Sequence, residues 1–140
     1  MKTIADIVKV LAALVPATRT TTTSSEPVLD TAGQENVCYV VAAGNGTFGG
    51  LTPETYSFQV YESDSSDGST PTAISGAVVA ITADDQVKKI QISSLGTGAR
   101  KRYQFCRLTA AGTSPSLPCT VLAEFGPAHY GPAQAADVSV

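Results

Sequence analysis

Alternation of apolar and polar positions is the main pattern of this chain, and it is clearest between Arg100 and Ala111. Two sets of side chains interleave there with a period of two: Tyr103, Phe105 and Arg107 against Gln104, Cys106 and Leu108. This is the period of a β-strand, and its apolar content predicts burial of at least one face. Because a turn-rich sequence follows directly, the stretch predicts a core strand of a β-sandwich.

Two other stretches also predict buried strands. Asn36 to Ala43 is nearly continuous in apolar residues, as expected for a strand covered on both faces. Tyr56 to Ser63 alternates instead, with aromatic and branched side chains at Tyr56, Phe58 and Val60 on one face. The first strand is therefore expected to be covered on both faces, and the second on one.

Three weaker stretches complete the predicted strands. Ala73 to Ile81 predicts one or two short strands, and Val87 to Ser93 predicts a strand with Ile90 and Ile92 inward. Cys119 to Phe125 is expected to pair with the Arg100 strand through the turn between them. The resulting seven or eight short strands predict an all-β fold, a single β-sandwich or jelly-roll-like domain with an extended N-terminal arm and C-terminal tail.

The two ends of the chain differ in composition from its middle. We therefore divide it into an N-terminal arm or short helix (1–17), a β-sandwich domain (18–127) and an extended C-terminal tail (128–140). Apolar residues in the first segment recur at three- and four-residue spacing, which predicts either a short helix ended by Pro16 or an extended arm. Thr18 to Ser25 predicts an edge or arm strand, with a flexible linker as the alternative. An exposed apolar stripe and a basic cluster are the candidate partner contacts: Ile4, Ile7, Leu11, Leu14, Arg19, Arg100, Lys101 and Arg102.

Composition narrows the possible partners. The chain of 140 residues is long enough for one domain with a sizeable core. Its formal net charge of -3, with 9 Lys and Arg against 12 Asp and Glu, argues against nucleic-acid binding. The apolar run near the start is interrupted by Asp6 and Lys9, so neither a membrane span nor a signal peptide is predicted. Charged residues make up only 15%, which suits surfaces that neighbours cover.

Candidate chemistry is sparse. Gly44 to Gly50 has the glycine spacing of a dinucleotide-binding loop, but a predicted strand follows where a helix is needed. The acidic turn Asp64 to Ser69 lacks the closing glutamate of a calcium loop, because Ile74 stands there. The only histidine, His129, lies in the Pro- and Gly-rich tail, and the cysteines have no zinc spacing: Cys38, Cys106 and Cys119. The sequence therefore predicts no catalytic, cofactor-binding or metal site, and no enzyme.

Several motifs together resemble a group of small virion proteins of tailed bacteriophages. They are the Thr-rich early strand, the Asp30–Gly33 turn, the Val37–Ala43 strand, the Tyr56–Gly68 strand and turn, Lys101–Tyr103, the Ala110–Pro115 turn and Val121–Gly126. The resemblance covers roughly residues 18 to 127. Residues 1 to 17 and the tail after Gly126 match none of these motifs.

This resemblance implies a capsid decoration or cement protein, a β-sandwich on the head shell that bridges major capsid subunits. It also implies a homo-oligomer, as a trimer or dimer, that is made in the bacterial cytoplasm and located on the virion surface. Nucleic acid, membrane and cofactors are not expected as partners. One alternative is a fibronectin- or immunoglobulin-like binding module, although the lack of tryptophan argues against it. The other is a tail or head-completion component of the virion.

Overall fold

The computed structural model of the chain describes residues 9–49, 52–93, 100–126 and 138–140. All the regular elements within these ranges are β-strands, as the alternating pattern predicted. In chain order they are β1 (Lys9–Arg19), β2 (Leu29–Asp30), β3 (Asn36–Ala43), β4 (Thr55–Ser63), β5 (Thr72–Ile81), β6 (Val87–Ser93), β7 (Tyr103–Ala111), β8 (Leu117–Gly126) and β9 (Val138–Ser139).

The strands form two sheets with the connectivity of a jelly roll. Sheet A has the order β1-β8-β3-β6-β9, and sheet B has the order β2-β7-β4-β5. Strands from the two halves of the chain pair symmetrically, β1 with β8 and β3 with β6 in sheet A, β2 with β7 and β4 with β5 in sheet B. These four pairs are antiparallel, as in a long hairpin that has been rolled up into two layers. The prediction of an all-β sandwich or jelly roll is confirmed.

Alternate residues of both sheets fill the space between them. In β4 the inward residues Tyr56, Phe58 and Val60 are at most 1% exposed, and in β6 Ile90 and Ile92 are at most 2% exposed. This confirms the inward faces expected for both strands. One buried polar pair joins the two layers, since the Tyr39 hydroxyl donates to Gln104 Oε1 at 3.1 Å. Burial strongly raises the pKa of this tyrosine.

Residues 9–17 adopt the extended conformation, so the alternative of a short helix is wrong for this part of the first segment. They belong to β1, which pairs with β8 and continues to Arg19, beyond the expected domain boundary at residue 17. Two register shifts, between Ala12 and Leu14 and between Leu14 and Ala17, let the strand turn adjacent side chains inward. As a result Ala13 is 0% and Leu14 is 2% exposed. Residues 9–17 are therefore part of the sandwich rather than an arm outside it.

The expected pairing of β7 with β8 is also wrong. The two strands lie in different sheets, because β7 pairs with β2 and β4 whereas β8 pairs with β1 and β3. The turn between them therefore crosses from one layer to the other. In β7 the core face carries Gln104, Cys106 and Leu108, while Phe105 is buried on the opposite side of sheet B.

Candidate binding surface

The outer side of sheet A carries an uncovered apolar surface. The strand register determines which outward side chains are neighbours on this surface. It places Ala12, Leu122 and Val40 side by side across β1, β8 and β3. Val10, Val15, Val87 and Leu122 are 51%, 56%, 59% and 39% exposed. We call this surface the apolar face, formed by the outward side chains of four strands: Val10, Ala12, Val15, Cys38, Val40, Ala42, Val87 and Leu122.

Few charges interrupt the apolar face. Glu124 lies opposite Val10 and Cys38, and Lys89 lies opposite Val40. The Cys38 thiol is half-buried, and its pKa is raised by burial, with a smaller effect in the same direction from Glu124. It is therefore a protonated thiol at neutral pH, and it packs as an apolar side chain. Exposed aliphatic side chains grouped in this way on a sheet are typical of protein–protein contacts.

The chain itself protects the β7 edge of sheet B and covers part of its outer side, whereas the outward residues of β5 remain exposed. Residues 20–28 run along β7, where Thr23 N–H donates to the Leu108 carbonyl at 3.0 Å and the Leu108 N–H donates to Thr23 Oγ1 at 3.1 Å. Thr22 makes a second such pair of bonds with the Ala110 backbone. These threonine hydroxyls replace the ladder bonds of a neighbouring strand, so the segment predicted as an edge strand protects the edge of β7 without being a regular strand.

Glu26 fixes this segment to sheet B through Arg107. The guanidinium donates to both carboxylate oxygens, at 3.0 and 3.2 Å, and the Glu26 side chain is only 2% exposed. Burial would raise the pKa of Glu26, but the hydrogen bonds from Arg107 and Thr23 hold it below its usual value. Arg107 also lies over the rings of Tyr61 and Phe105, which are stacked at 5.5 Å. The carboxylate therefore remains charged and paired.

The basic cluster before β7 is largely neutralised within the chain. Arg102 donates to both Asp30 oxygens, at 2.9 and 2.7 Å, which lowers the pKa of Asp30 to about 2. Lys101 Nζ lies 3.1 Å from Asp64 Oδ2. Arg100 has no ion-pair partner within the described ranges, and it borders a cavity of about 110 Å³ between the ends of the two sheets. Arg100 is thus the cation of this cluster that is left for a partner.

The other predicted contact residues have different places. Leu11 is partly buried against the core, and Leu14 is a core residue, so the expectation that Leu14 contacts a partner is corrected. Arg19 is half-buried, and its guanidinium donates to the Val15 carbonyl at 2.9 Å. Ile4 and Ile7 lie outside the described residues. The structure therefore does not bring the six predicted contacts that it describes into one surface.

The loops considered for chemistry use their polar groups internally. In the glycine-rich loop, Gly46 N–H donates to Asp84 Oδ1 at 2.8 Å, and Gly44 N–H donates to the Pro118 carbonyl at 2.8 Å. In the acidic turn, Ser69 N–H donates to Asp67 Oδ1 at 2.9 Å. No three His, Cys, Asp or Glu side chains are grouped closely enough to hold a metal ion in the described part of the chain. His129 lies outside that part.

Sequence reasoning missed two features of these surfaces. The continuous apolar pattern of β3 was the signal for the apolar face. It predicts that both sides of this strand are buried, but within the described ranges no residues cover the outer side of sheet A. The Glu26–Arg107 pair joins residues 81 positions apart, and no local pattern marks such a pair.

None of the described residues forms a helix long and apolar enough to cross a membrane. Comparisons with protein-family models, curated proteins and solved structures found no match.

Proposed function

We propose that this chain is a structural protein of a bacteriophage virion, a decoration or cement protein that binds the major capsid protein and stabilises the shell. The observation that carries the proposal is the apolar face of sheet A. It spans four strands and contains aliphatic side chains that are 39% to 59% exposed in the single chain. Burial of such side chains against a neighbouring protein would contribute roughly 25 cal/mol for each Å² removed from water.

The pattern of β3 supports a permanent cover on this face. Its inward residues Val37, Tyr39 and Val41 are at most 3% exposed, whereas its outward residues Cys38 and Val40 are only half-buried. Antiparallel strands with one wet face normally alternate between apolar and polar residues. A strand that is apolar on both sides is suited to an assembly in which the outer side is also buried.

The different chemistry of the outer side of sheet B supports a one-sided mode of attachment. This side carries the Glu26–Arg107 ion pair near β7, which distinguishes it from the apolar face of sheet A, although outward residues of β5 such as Val78 are exposed. We infer that sheet A faces the capsid, as part of a homo-oligomer, and that sheet B faces outward. Jelly rolls occur in viral capsid proteins but also in lectins and other proteins, so the fold alone does not assign the function.

The strand order argues against the immunoglobulin-like alternative. Immunoglobulin domains place the sequential strands A and B side by side in one sheet. Here β1 pairs with β8, and β2 lies in the other sheet next to β7. A tail or head-completion component is the alternative within the same class of function, and it would be present in far fewer copies than a decoration protein.

Alkylation of the cysteines tests the proposed orientation. Cys38 lies on the apolar face, whereas Cys106 is 0% and Cys119 is 6% exposed. In the free protein, a maleimide at alkaline pH should modify Cys38 far faster than the other two. After the protein is added to heads that lack it, Cys38 should become protected. Equal reactivity of Cys38 on heads and in solution would place the contact elsewhere.

A matched pair of substitutions tests the same surface by affinity. Leu122 on the apolar face and Val78 on β5 are 39% and 41% exposed. Leu122→Lys should weaken binding to heads at least about ten-fold, because a charge would be buried in the contact. Val78→Lys should leave binding unchanged. Equal effects of the two substitutions, or no stoichiometric binding to heads by the parent protein, would overturn the proposal.

A further inference from the structure

The cavity of about 110 Å³ beside Arg100 lies between the ends of the two sheets and reaches the core. Its apolar lining comes from Val37 on β3 and Ile92 on β6, which are paired in the register and are 3% and 2% exposed. Gln104 on β7 lines it from sheet B, and Asn36 lines it next to Val37. A cavity of roughly 150 Å³ can hold a benzene molecule, so this one has room for a smaller organic group. We call it the end cavity.

Two buried side-chain amides of the end cavity have nitrogen atoms without an acceptor. Gln104 is 2% exposed, and its Oε1 accepts the hydrogen bond from the Tyr39 hydroxyl. The Gln104 Nε2 group makes no hydrogen bond within the part of the chain that the structure describes. Asn36 is 9% exposed, and its buried Nδ2 likewise has no partner there. Because buried amide groups are normally hydrogen-bonded, two such donors at one cavity indicate that an acceptor belongs in it.

The charges around the end cavity favour an anion with a single charge. Arg100, Lys101 and Arg102 line it, and Glu35 is the carboxylate among the lining residues. Lys101 and Arg102 are each paired with an aspartate, so the half-buried Arg100 is the cation that lacks an ion-pair partner in the described ranges. Glu35 would repel a dianion more strongly than a monoanion.

Hydrogen bonds between the surrounding loops hold the end cavity in shape. Thr31 donates to the Arg102 carbonyl twice, from its N–H at 2.9 Å and from its Oγ1 at 2.7 Å. The Lys101 N–H donates to Glu62 Oε2 at 3.2 Å. The backbone next to Arg100 is thus fixed to the loop before β3 and to the end of β4. A cavity that is formed in advance binds a ligand without the cost of ordering its walls.

We propose that the end cavity binds a carboxylate group carried on a short alkyl stem. Its oxygens accept hydrogen bonds from Arg100 and from the amide nitrogens of Gln104 and Asn36, while the stem packs on Val37 and Ile92. An ionised carboxylate only accepts hydrogen bonds, which suits a site whose unpaired polar groups are donors. Its two oxygens also fit the fork of a guanidinium. An inorganic anion would leave the apolar lining without a contact.

Titration with acetate tests the site in the full chain. In ¹⁵N NMR spectra at constant ionic strength, sodium acetate should shift the side-chain amide signals of Gln104 until they saturate. The dissociation constant should be on the order of millimolar, because a ligand of so few atoms has a low limit of affinity. Acetamide has nearly the same shape without the charge, and inorganic phosphate has more charge without the alkyl part. Each should need at least about ten-fold higher concentration for the same shift. Equal shifts with either compound would overturn the assignment to a carboxylate.

A matched pair of substitutions tests the part of Arg100. Arg100→Gln should weaken acetate binding at least about ten-fold, because the charged fork is lost. Lys88→Gln removes the same charge from the other end of β6, four residues before Ile92, and should leave the dissociation constant within about two-fold. Arg100→Lys keeps the charge without the fork, and its affinity should fall between those of the parent and Arg100→Gln. Acetate binding by Arg100→Gln that equals binding by the parent would contradict the proposal.

Binding of Arg100→Gln to heads identifies the source of the carboxylate. Weaker binding than that of Lys88→Gln assigns the carboxylate to an acidic side chain of a capsid subunit, and equal binding assigns it to a small acid in solution. This comparison rests on the proposed function, whereas the acetate titration does not. Gln104 amide signals that stay in place in acetate overturn the inference, whatever the result with heads.

Discussion

Phe105→Ala would test how the outer side of sheet B contributes to stability. Phe105 is 2% exposed, although it lies on the side of the sheet that faces away from the core. Its ring is stacked on Tyr61 with an interplanar angle of 9°, and the Arg107 guanidinium lies 5.1 Å from its centroid. A Cβ at Gly68 would come within 3.3 Å of the Phe105 ring, so the turn after β4 covers it as well.

The expected loss in the free energy of unfolding is about 3 kcal/mol, at the lower end of the range of about 3–5 kcal/mol for buried phenylalanine. The lower end applies because Tyr61 is only half-buried and can move into the space. The stacked pair itself should account for about 0.5–1.5 kcal/mol of the loss. Phe105→Leu, which keeps most of the volume, should cost less than about 1.5 kcal/mol.

Urea denaturation of the single and double variants of Phe105 and Tyr61 measures both quantities. The double-mutant cycle should give a coupling of about 0.5–1.5 kcal/mol between the two rings. Phe58, which is 0% exposed in the core between the sheets, provides the control. Phe58→Ala should destabilise the protein by a similar amount or more but show no coupling to Tyr61. A loss well under 1 kcal/mol for Phe105→Ala, or zero coupling with Tyr61, would refute the outer aromatic cluster.

Two further predictions concern polar pairs. Arg102→Gln should raise the pKa of Asp30 from about 2 toward 3.8, as measured by carboxyl ¹³C NMR. A pKa still near 2 in the variant would contradict the ion pair. Because the pKa of Asp30 is lower in the folded than in the unfolded protein, its contribution to stability is present above about pH 4 and is lost between pH 4 and 2. Tyr39→Phe leaves the buried Gln104 Oε1 without its hydrogen-bond donor, so the free energy of unfolding measured with urea should fall by about 1–3 kcal/mol. A loss below about 0.5 kcal/mol would show that this acceptor finds another partner.

The alternating pattern was sufficient to predict most of the fold. The bounds of β3, Asn36–Ala43, agree with the stretch identified in the sequence, and β7, Tyr103–Ala111, lies within the stretch from Arg100 to Ala111. The inward faces of β4 and β6 were also correct, because a period of two leaves only one face for the large apolar side chains. What this local pattern could not provide was pairing, since a strand carries the same alternation in whichever sheet it lies.

The wrong predictions concern strand pairing and strand orientation, which depend on contacts between residues far apart in the sequence. The turn after β7 contains the residues of a hairpin, yet β8 pairs with β1 and β3 in the other sheet. In β7, the pattern did not decide which set of side chains faces the core. Phe105 lies on the outer side together with Arg107, which pairs there with Glu26. The helical spacing in the first segment was misleading because bulges in β1 bring both Ala13 and Leu14 inward, which interrupts the strand period.

The two outer surfaces of the sandwich should therefore respond differently to substitution. On sheet B, the Glu26–Arg107 pair holds residues 20–28 against β7, and Phe105 is buried beside Arg107, so changes at these three residues should lower the stability of the free protein. On sheet A, Val10 and Leu122 are 51% and 39% exposed and make few contacts to lose, so changes there should leave stability within about 0.5 kcal/mol. A surface that is apolar but contributes little to folding has to be explained by what covers it. This separation of stability from binding is what the proposed attachment through one face of the sandwich requires.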